Sequence, residues 1–169
     1  MTDQLKLIVD ESIAPCIVDD LKSLLRHAKD EENAHVKHVH TFYEEVGLDN
    51  QGTWDEVWVP KLAEGEWAVL AGDRGKTPGK GAKLPSLCVK YGLTHFLLSP
   101  VVHERQKFKK LMTILSVWHE IIAIMRDQKG SRYMLEPLSS APETCGRGKL
   151  VRKEIPLFEP PPKGLLFRK

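Results

Sequence analysis

An α/β chain with a doubly wound, mainly parallel sheet in three layers is the fold class that this sequence predicts. Three observations carry the prediction. Short apolar runs stand at residues 5–9 and 67–70, helical apolar spacing intervenes at residues 15–28 and returns at 105–126, and acidic residues follow the runs directly, at Asp10 and Asp73. Strands that alternate with helices make a parallel sheet, and ligands of such sheets sit beyond the carboxyl ends of the strands.

The elements follow in order. Leu5-Lys6-Leu7-Ile8-Val9 is short, mostly apolar and β-branched at its end, as a strand covered on both faces requires, and it stops at Asp10-Glu11. From Pro15 the apolar spacing changes to Ile17, Val18, Leu21, Leu24, Leu25 and Ala28, a helical stripe with proline in the first turn. Val36 to Phe42 predicts a second strand, and residues 47–52 a polar loop. Thr53, three residues before Glu56, has the spacing of a capping box, and Trp54 and Trp58 share one face of the helix that follows, which Gly65 closes.

Residues 67–70 predict a third strand ending in Ala71-Gly72-Asp73, and residues 94–98 a fourth ending in Ser99-Pro100, with a Gly- and Lys-rich loop between them. Phe108, Leu111, Leu115, Trp118, Ile122 and Met125 step by three and four, which predicts one long amphipathic helix over 105–126 with Phe108 in its apolar stripe. Residues 131–135 predict an edge strand. Beyond it come Pro137, Pro142, Pro156, Pro160, Pro161 and Pro162, the composition of an irregular basic arm. The expected organisation is one domain over 1–136 and a tail over 137–169.

Composition sets the outer bounds. The 169 residues carry 25 Lys+Arg and 23 Asp+Glu with 41% hydrophobic residues, which excludes disordered and collagen-like classes. The longest apolar candidate, residues 111–125, holds Trp118, His119 and Glu120 in its middle, so no membrane span is expected. The N-terminus lacks the basic and apolar regions of a secretory signal, and Cys16, Cys88 and Cys145 form neither a disulfide framework nor a zinc knuckle, which fits a reducing cytoplasm. The near-neutral total conceals a division: residues 1–56 hold 13 acids and 5 bases, while residues 57–169 hold 20 bases and 10 acids. From Arg74 to Lys110 there are nine bases and one acid, Glu104.

Asp10 and Asp73 end strands of one parallel sheet, so both are expected at the same crevice, and Asp55 in a helix first turn can join them. Two such charges at ~4 Å repel by about 4 kcal/mol at an effective dielectric near 20, so the cluster takes up protons or binds a cation. Oxygen-only ligands favour Mg²⁺ or Mn²⁺. A carboxylate-held divalent ion activates water for phosphodiester hydrolysis, and a basic rim holds the polyanion with salt-sensitive affinity. For single acids there are plainer readings: Glu56 as a cap, Asp55 complementing a helix dipole, Glu11 solvated, Asp73 beside Gly72 as a turn residue.

Leu-Ile-Val-Asp-Glu at 7–11, Trp-Asp-Glu-Val-Trp-Val-Pro at 54–60 and Trp-Ala-Val-Leu-Ala-Gly-Asp at 67–73 together resemble a PIN-like nuclease domain. More narrowly, with Gly79-Lys80-Gly81-Ala82-Lys83-Leu84-Pro85, the chain looks like the compact branch of VapC-type toxins from toxin–antitoxin pairs, over about residues 5–135. The resemblance implies a doubly wound sheet, a divalent-metal site and endoribonuclease activity. It maps the catalytic, metal-holding acids to Asp10, Asp55 and Asp73, with Glu11 and Glu56 as adjacent candidates for the metal shell. The fourth acid of the pattern has no counterpart, since nothing acidic lies between Asp73 and Glu104.

Other motifs carry less. Gly75-Lys76-Thr77 suggests a nucleotide-binding loop, but the motif needs glycine where Leu70 stands, and Pro78 follows where a helix must begin. His35, His38 and His40 lack a fourth ligand for zinc, although strand alternation would put His38 and His40 on one face. No G-x-S-x-G elbow exists, and Trp54, Trp58, Trp67 and Trp118 read as core. The expectation is a Mg²⁺- or Mn²⁺-dependent endoribonuclease, the toxin of a type II pair, with RNA steered by Arg74, Lys76, Lys80 and Lys83. An antitoxin is the expected protein partner and a homodimer an expected assembly. The alternative is a catalytically weak RNA- or protein-binding module whose acidic crevice receives a partner's arginine.

Overall fold

A computed structural model describes residues 4–27, 34–49, 55–72, 83–139 and 146–153. Among the described residues six strands form one sheet: β1 (Lys6–Val9), β2 (His35–His38), β3 (Trp67–Ala71), β4 (His95–Leu98), β5 (Arg132–Pro137) and β6 (Gly148–Arg152), in the order β2-β1-β3-β4-β5-β6. The first five are parallel, and β6 pairs antiparallel with β5. The chain leaves β1 toward β2 and returns on the other side of β1 to build β3, so the direction of winding reverses between β1 and β3. The predicted mixed α/β, doubly wound architecture is the one observed.

Helices cover both faces. On one face α1 (Pro15–Leu25), α6 (Lys107–Ser116) and α7 (Trp118–Asp127) bury Ile17, Leu21, Ile114 and Trp118 against Leu7, Val9, Phe96 and Leu98. On the other, α2 (Val39–Glu45), α3 (Asp55–Glu64) and α4 (Lys83–Lys90) bury Phe42, Tyr43, Trp58, Leu62 and Cys88 against Ile8, Val69 and Leu97. Alternate strand residues face opposite layers, which is why β1, β3 and β4 are apolar without interruption. A short helix α5 (Pro100–His103) follows β4, with Ser99 Oγ accepting the Val102 amide as its cap. Among the described residues no helix is long and apolar enough to cross a membrane.

Several expectations require correction. The second strand ends at His38, and Val39 to Glu45 is helical: the His38 imidazole caps α2 by accepting the His40 amide. The β-branched and aromatic run Val39 to Phe42 reads as extended, but coiling carries Phe42 and Tyr43 into the core against Trp67 and Trp58. His38 and His40 are thus not alternate residues of a strand, although their rings meet edge to face at 4.8 Å. The region between the third and fourth strands is not loop alone, since residues 83–90 are α4.

The long helix is two helices. At Val117 (φ −116°, ψ 12°) the turn is broken, and Ser116 Oγ donates to the Thr113 carbonyl while accepting the Gly148 amide. Phe108 is not core: it is 72% exposed in the first turn of α6. Gly148 leads into β6, so the 131–135 segment is not the sheet edge and part of the proline-rich tail is strand. Gly65 ends α3 by a different means from a left-handed cap. Its neighbour Glu66 takes φ 56°, and Gly65 is needed because a Cβ there would lie 2.6 Å from Trp67 Nε1. Trp58, Trp67 and Trp118 are buried as expected. Trp54 and the proposed cap Thr53 lie outside the described residues.

Candidate active site

The reversal between β1 and β3 opens a crevice at their carboxyl ends, where doubly wound sheets place their ligands. Asp10 stands there. Its amide donates to the Leu70 carbonyl at 2.9 Å, so the β1–β3 ladder runs one residue beyond Val9 and delivers the carboxylate to the rim. The side chain is buried at 7% exposure. One oxygen, Oδ2, accepts from Ser12 Oγ at 2.7 Å and from the Ser12 amide at 3.3 Å. Such charge-assisted bonds fix the rotation of the carboxylate.

Ser12 also reaches across to the neighbouring strand, accepting the Gly72 amide at 2.8 Å. The end of β3 is thereby tied to the Asp10 loop. Gly72 is in turn roofed by His103 from α5: a Cβ on Gly72 would meet the imidazole Nδ1 at 2.2 Å. Only glycine lets that ring approach. Asp73, the next residue, lies outside the described residues, as do Arg74, Lys76, Lys80 and the side chain of Lys83.

Asp55 enters from the opposite layer, in the first turn of α3. Trp58 Nε1 donates to its Oδ1 at 3.2 Å, and the Trp58 ring packs edge to face on Tyr43 of α2 at 6.1 Å. This aromatic pair joins α2 to α3 beneath the acids. Burial and then the Asp10 carboxylate push the Asp55 carboxyl from its ordinary 3.8 up to about 6, the Trp58 bond working against both, with smaller upward contributions from Glu56 and Glu11. Burial and the carboxylates of Glu11, Asp10 and Asp55 raise the Tyr43 hydroxyl. The Cys88 thiol rises to about 12, by burial and then by Asp55 and Asp10. Tyr43 on α2, Asp55 on α3 and Cys88 on α4 are thus each shifted first by burial and then by neighbouring carboxylates, Asp10 among them in every case.

Glu11 is exposed and faces His40, with 3.8 Å between Oε2 and Nε2. Glu56 is exposed in the first turn of α3. The structure thus brings Asp10 and Asp55 into electrostatic contact with Glu11 and Glu56 near the rim. Among the described residues no three His, Cys, Asp or Glu side chains close into a metal-holding group. His38 is excluded from ligand duty by its own bonds, since Nε2 pairs with the Ile13 carbonyl at 3.0 Å and Nδ1 caps α2. The two acids whose charges do act on each other, Asp10 and Asp55, offer oxygen donors only, the type that a hard divalent cation takes. A cleft of about 720 Å³ opens at the opposite pole, around Lys6, Glu66, Trp67 and Lys129, and none of these acids borders it.

Sequence reasoning missed Ser12, Tyr43 and His103. Ser12 had a legible signal, a hydroxyl two residues after an aspartate in a turn. Tyr43 was hidden by the misread strand, and His103 had no local signal, because its relation to Gly72 exists only across the sheet.

The fold and this rim define an α/β chain with an acidic pole at its winding reversal. The family model described as a PIN-like domain matches residues 5–77, a stretch that contains Asp10, Glu11, Asp55, Glu56 and Asp73. The match supports a PIN-like domain, a nuclease-type module, in that part of the chain. No curated protein and no solved structure matches the chain.

Proposed function

We propose that this chain is a Mg²⁺- or Mn²⁺-dependent endoribonuclease acting as the toxin of a type II toxin–antitoxin pair, of the VapC kind, in the cytoplasm. The observation that carries the reading is the placement of Asp10 directly after β1 at the winding reversal and of Asp55, 45 residues away, in the first turn of α3, where burial and then the Asp10 charge raise the Asp55 carboxyl. A cation between them removes that conflict. Asp10, Asp55 and Asp73 would hold it, with Glu11 and Glu56 adjacent. When bound, such an ion lowers the pKa of a coordinated water and neutralises the phosphodiester.

The chain's own residues supply orientation. Ser12 holds Asp10 Oδ2, Trp58 holds Asp55 Oδ1, and the bare Gly72 lets His103 close over the end of β3. Arg74, Lys76, Lys80 and Lys83 belong to the proposal as the cations that steer RNA. A cognate antitoxin and a homodimer are its proposed protein partners.

The test pairs activity with metal binding. Asp10→Asn should abolish RNA cleavage while leaving the melting temperature equal or higher, since it removes charge from a repulsive pair. Wild-type protein should gain thermal stability with Mn²⁺ or Ca²⁺, and Asp73→Asn should lose that gain. Cleavage by Asp10→Asn at the wild-type rate ends the proposal. A second reading is favoured by the missing fourth acid between Asp73 and Glu104: a catalytically weak module whose crevice takes a partner's arginine. No thermal response to either ion selects it.

A further inference from the structure

Phe108 is the most exposed large hydrophobic side chain among the described residues, at 72%. One turn on, Met112 on the same side of α6 is 41% exposed, while Leu111 and Ile114 turn inward. Basic residues flank Phe108 in the chain. Residues 105–110 contain Arg105, Lys107, Lys109 and Lys110 and no acid. Two of these cations hold the corner in shape: Arg105 Nη1 donates to Thr113 Oγ1 at 2.7 Å, and Lys107 pairs with Asp20 of α1 at 2.8 Å. Lys109 is exposed, and burial depresses the partly covered Lys110.

The corner lies at the pole of the acids. His103, the last residue of α5, touches Gly72 at the rim, and α6 begins four residues later. From the other side, the Lys107–Asp20 pair and the proximity of Cys16 to Lys107 and Lys110 lay the first turn of α6 on α1, which leaves the Asp10 loop at Pro15.

We infer that the first turns of α6 form a single-stranded RNA platform, with Phe108 stacking on one unpaired base while Lys109 and Lys110 hold the flanking phosphates. The occupant follows from the chemistry of the patch. A stable protein interface buries about 800 Å² on each side, whereas one phenyl ring supplies about 150–250 Å² in full. Lys107 is matched by Asp20, but Lys109 and Lys110 have no acid beside them in residues 105–110, so a second copy docking here would bring these cations toward their like. A nucleobase with its phosphates matches both parts, a flat π-face and negative charge one residue away.

This inference rests on RNA being the substrate proposed above. The experiment uses the full chain carrying Asp10→Asn, so that the probe stays intact, and measures fluorescence anisotropy with a short labelled oligouridylate and with a duplex of equal length. Phe108→Ala should weaken oligouridylate binding about tenfold and duplex binding far less, as removal of a stacking partner does. Phe108→Tyr should restore it. Lys109→Gln should lower the salt slope of binding by about one. Melting temperatures should not move, since Phe108 packs on little.

Equal binding by Phe108→Ala and its parent overturns the platform and leaves the nuclease proposal standing, provided Mn²⁺ still stabilises the wild-type chain. Unchanged RNA binding together with an altered sedimentation coefficient in Phe108→Ala also overturns it, in favour of a protein contact. If the parent binds no RNA and Mn²⁺ stabilises nothing, platform and nuclease fall together.

Discussion

Neutralising Asp55 should stabilise the metal-free chain above pH 6 and change nothing below about pH 4. The folded carboxyl releases its proton near 6, against 3.8 in its ordinary state. Between those values the folded chain binds more protons than the unfolded one, so this group lowers stability as pH rises through the window, and the full cost persists above it. Displacement from 3.8 to about 6 corresponds to about 3 kcal/mol at ~1.36 kcal/mol per pH unit. Asp55 is only partly buried, and solvent screening reduces this to roughly half.

One effect opposes the gain. Asp55 sits in the first turn of α3, where the helix dipole favours the charge by about 0.3–1 kcal/mol. Asparagine retains the oxygen that accepts from Trp58, so the net expectation for Asp55→Asn is about 1 kcal/mol of added stability at alkaline pH, or ~2–4 °C in Tm for a chain of this size. Urea titrations followed by tryptophan fluorescence in the presence of a chelator, repeated across pH, read the difference between variant and wild type. Other titrating groups, His95 included, are common to both and cancel. A difference that is flat with pH, or a wild type more stable than the variant at pH 8, refutes the claim that Asp10 and Asp55 oppose each other.

Three further perturbations probe the same frame. Gly72→Ala puts a methyl group 2.2 Å from His103 Nδ1, so it should cost about 1–3 kcal/mol by overpacking and displace the α5 end, visible as a shifted His103 resonance. Ser12→Ala removes the hydroxyl shared by Asp10 and Gly72, which should cost about 1–3 kcal/mol in chemical denaturation and loosen amide exchange at Gly72. His95 is fully buried, neither ring nitrogen reaches a hydrogen-bond partner among the described residues, and burial followed by the Arg132 charge pushes its pKa down to about 3. The unfolded chain then binds the extra proton between about 3 and 6.5, so stability contributed by neutral His95 is complete above pH 6.5 and lost as pH falls. His95→Leu should be at least as stable as wild type at pH 7 and flatten the acid limb of the stability curve; an unchanged acid limb would exclude His95 as its source.

The parts of the fold legible in sequence are those fixed by local chemistry. The run Leu5 to Val9 reads as a doubly covered strand and holds β1, the stripe from Pro15 reads as a helix and is α1, and residues 67–70 read as a strand and lie in β3, because each pattern has one low-cost environment. The misreadings arose where two environments were locally equivalent. Val39 to Phe42 suits a strand as well as a helix until Tyr43 finds Trp58. The stripe from Phe108 to Met125 suits one helix until Ser116 binds the Gly148 amide and Thr113 carbonyl and breaks it. Residues 148–152 carry a weak strand pattern, and they become a strand because β5 offers an unpaired edge.

Sequence by itself determined that Asp10 stands at the end of a strand, since a carboxylate directly after a buried apolar run emerges at the end of a sheet. Tertiary structure alone decided that Asp10 and Asp55 share a field, that Ser12 ties β1 to β3, and that Phe108 faces water. Those facts depend on distances between residues far apart in the chain, and such distances are set by how layers pack over the sheet, a cooperative outcome that no local window of residues contains.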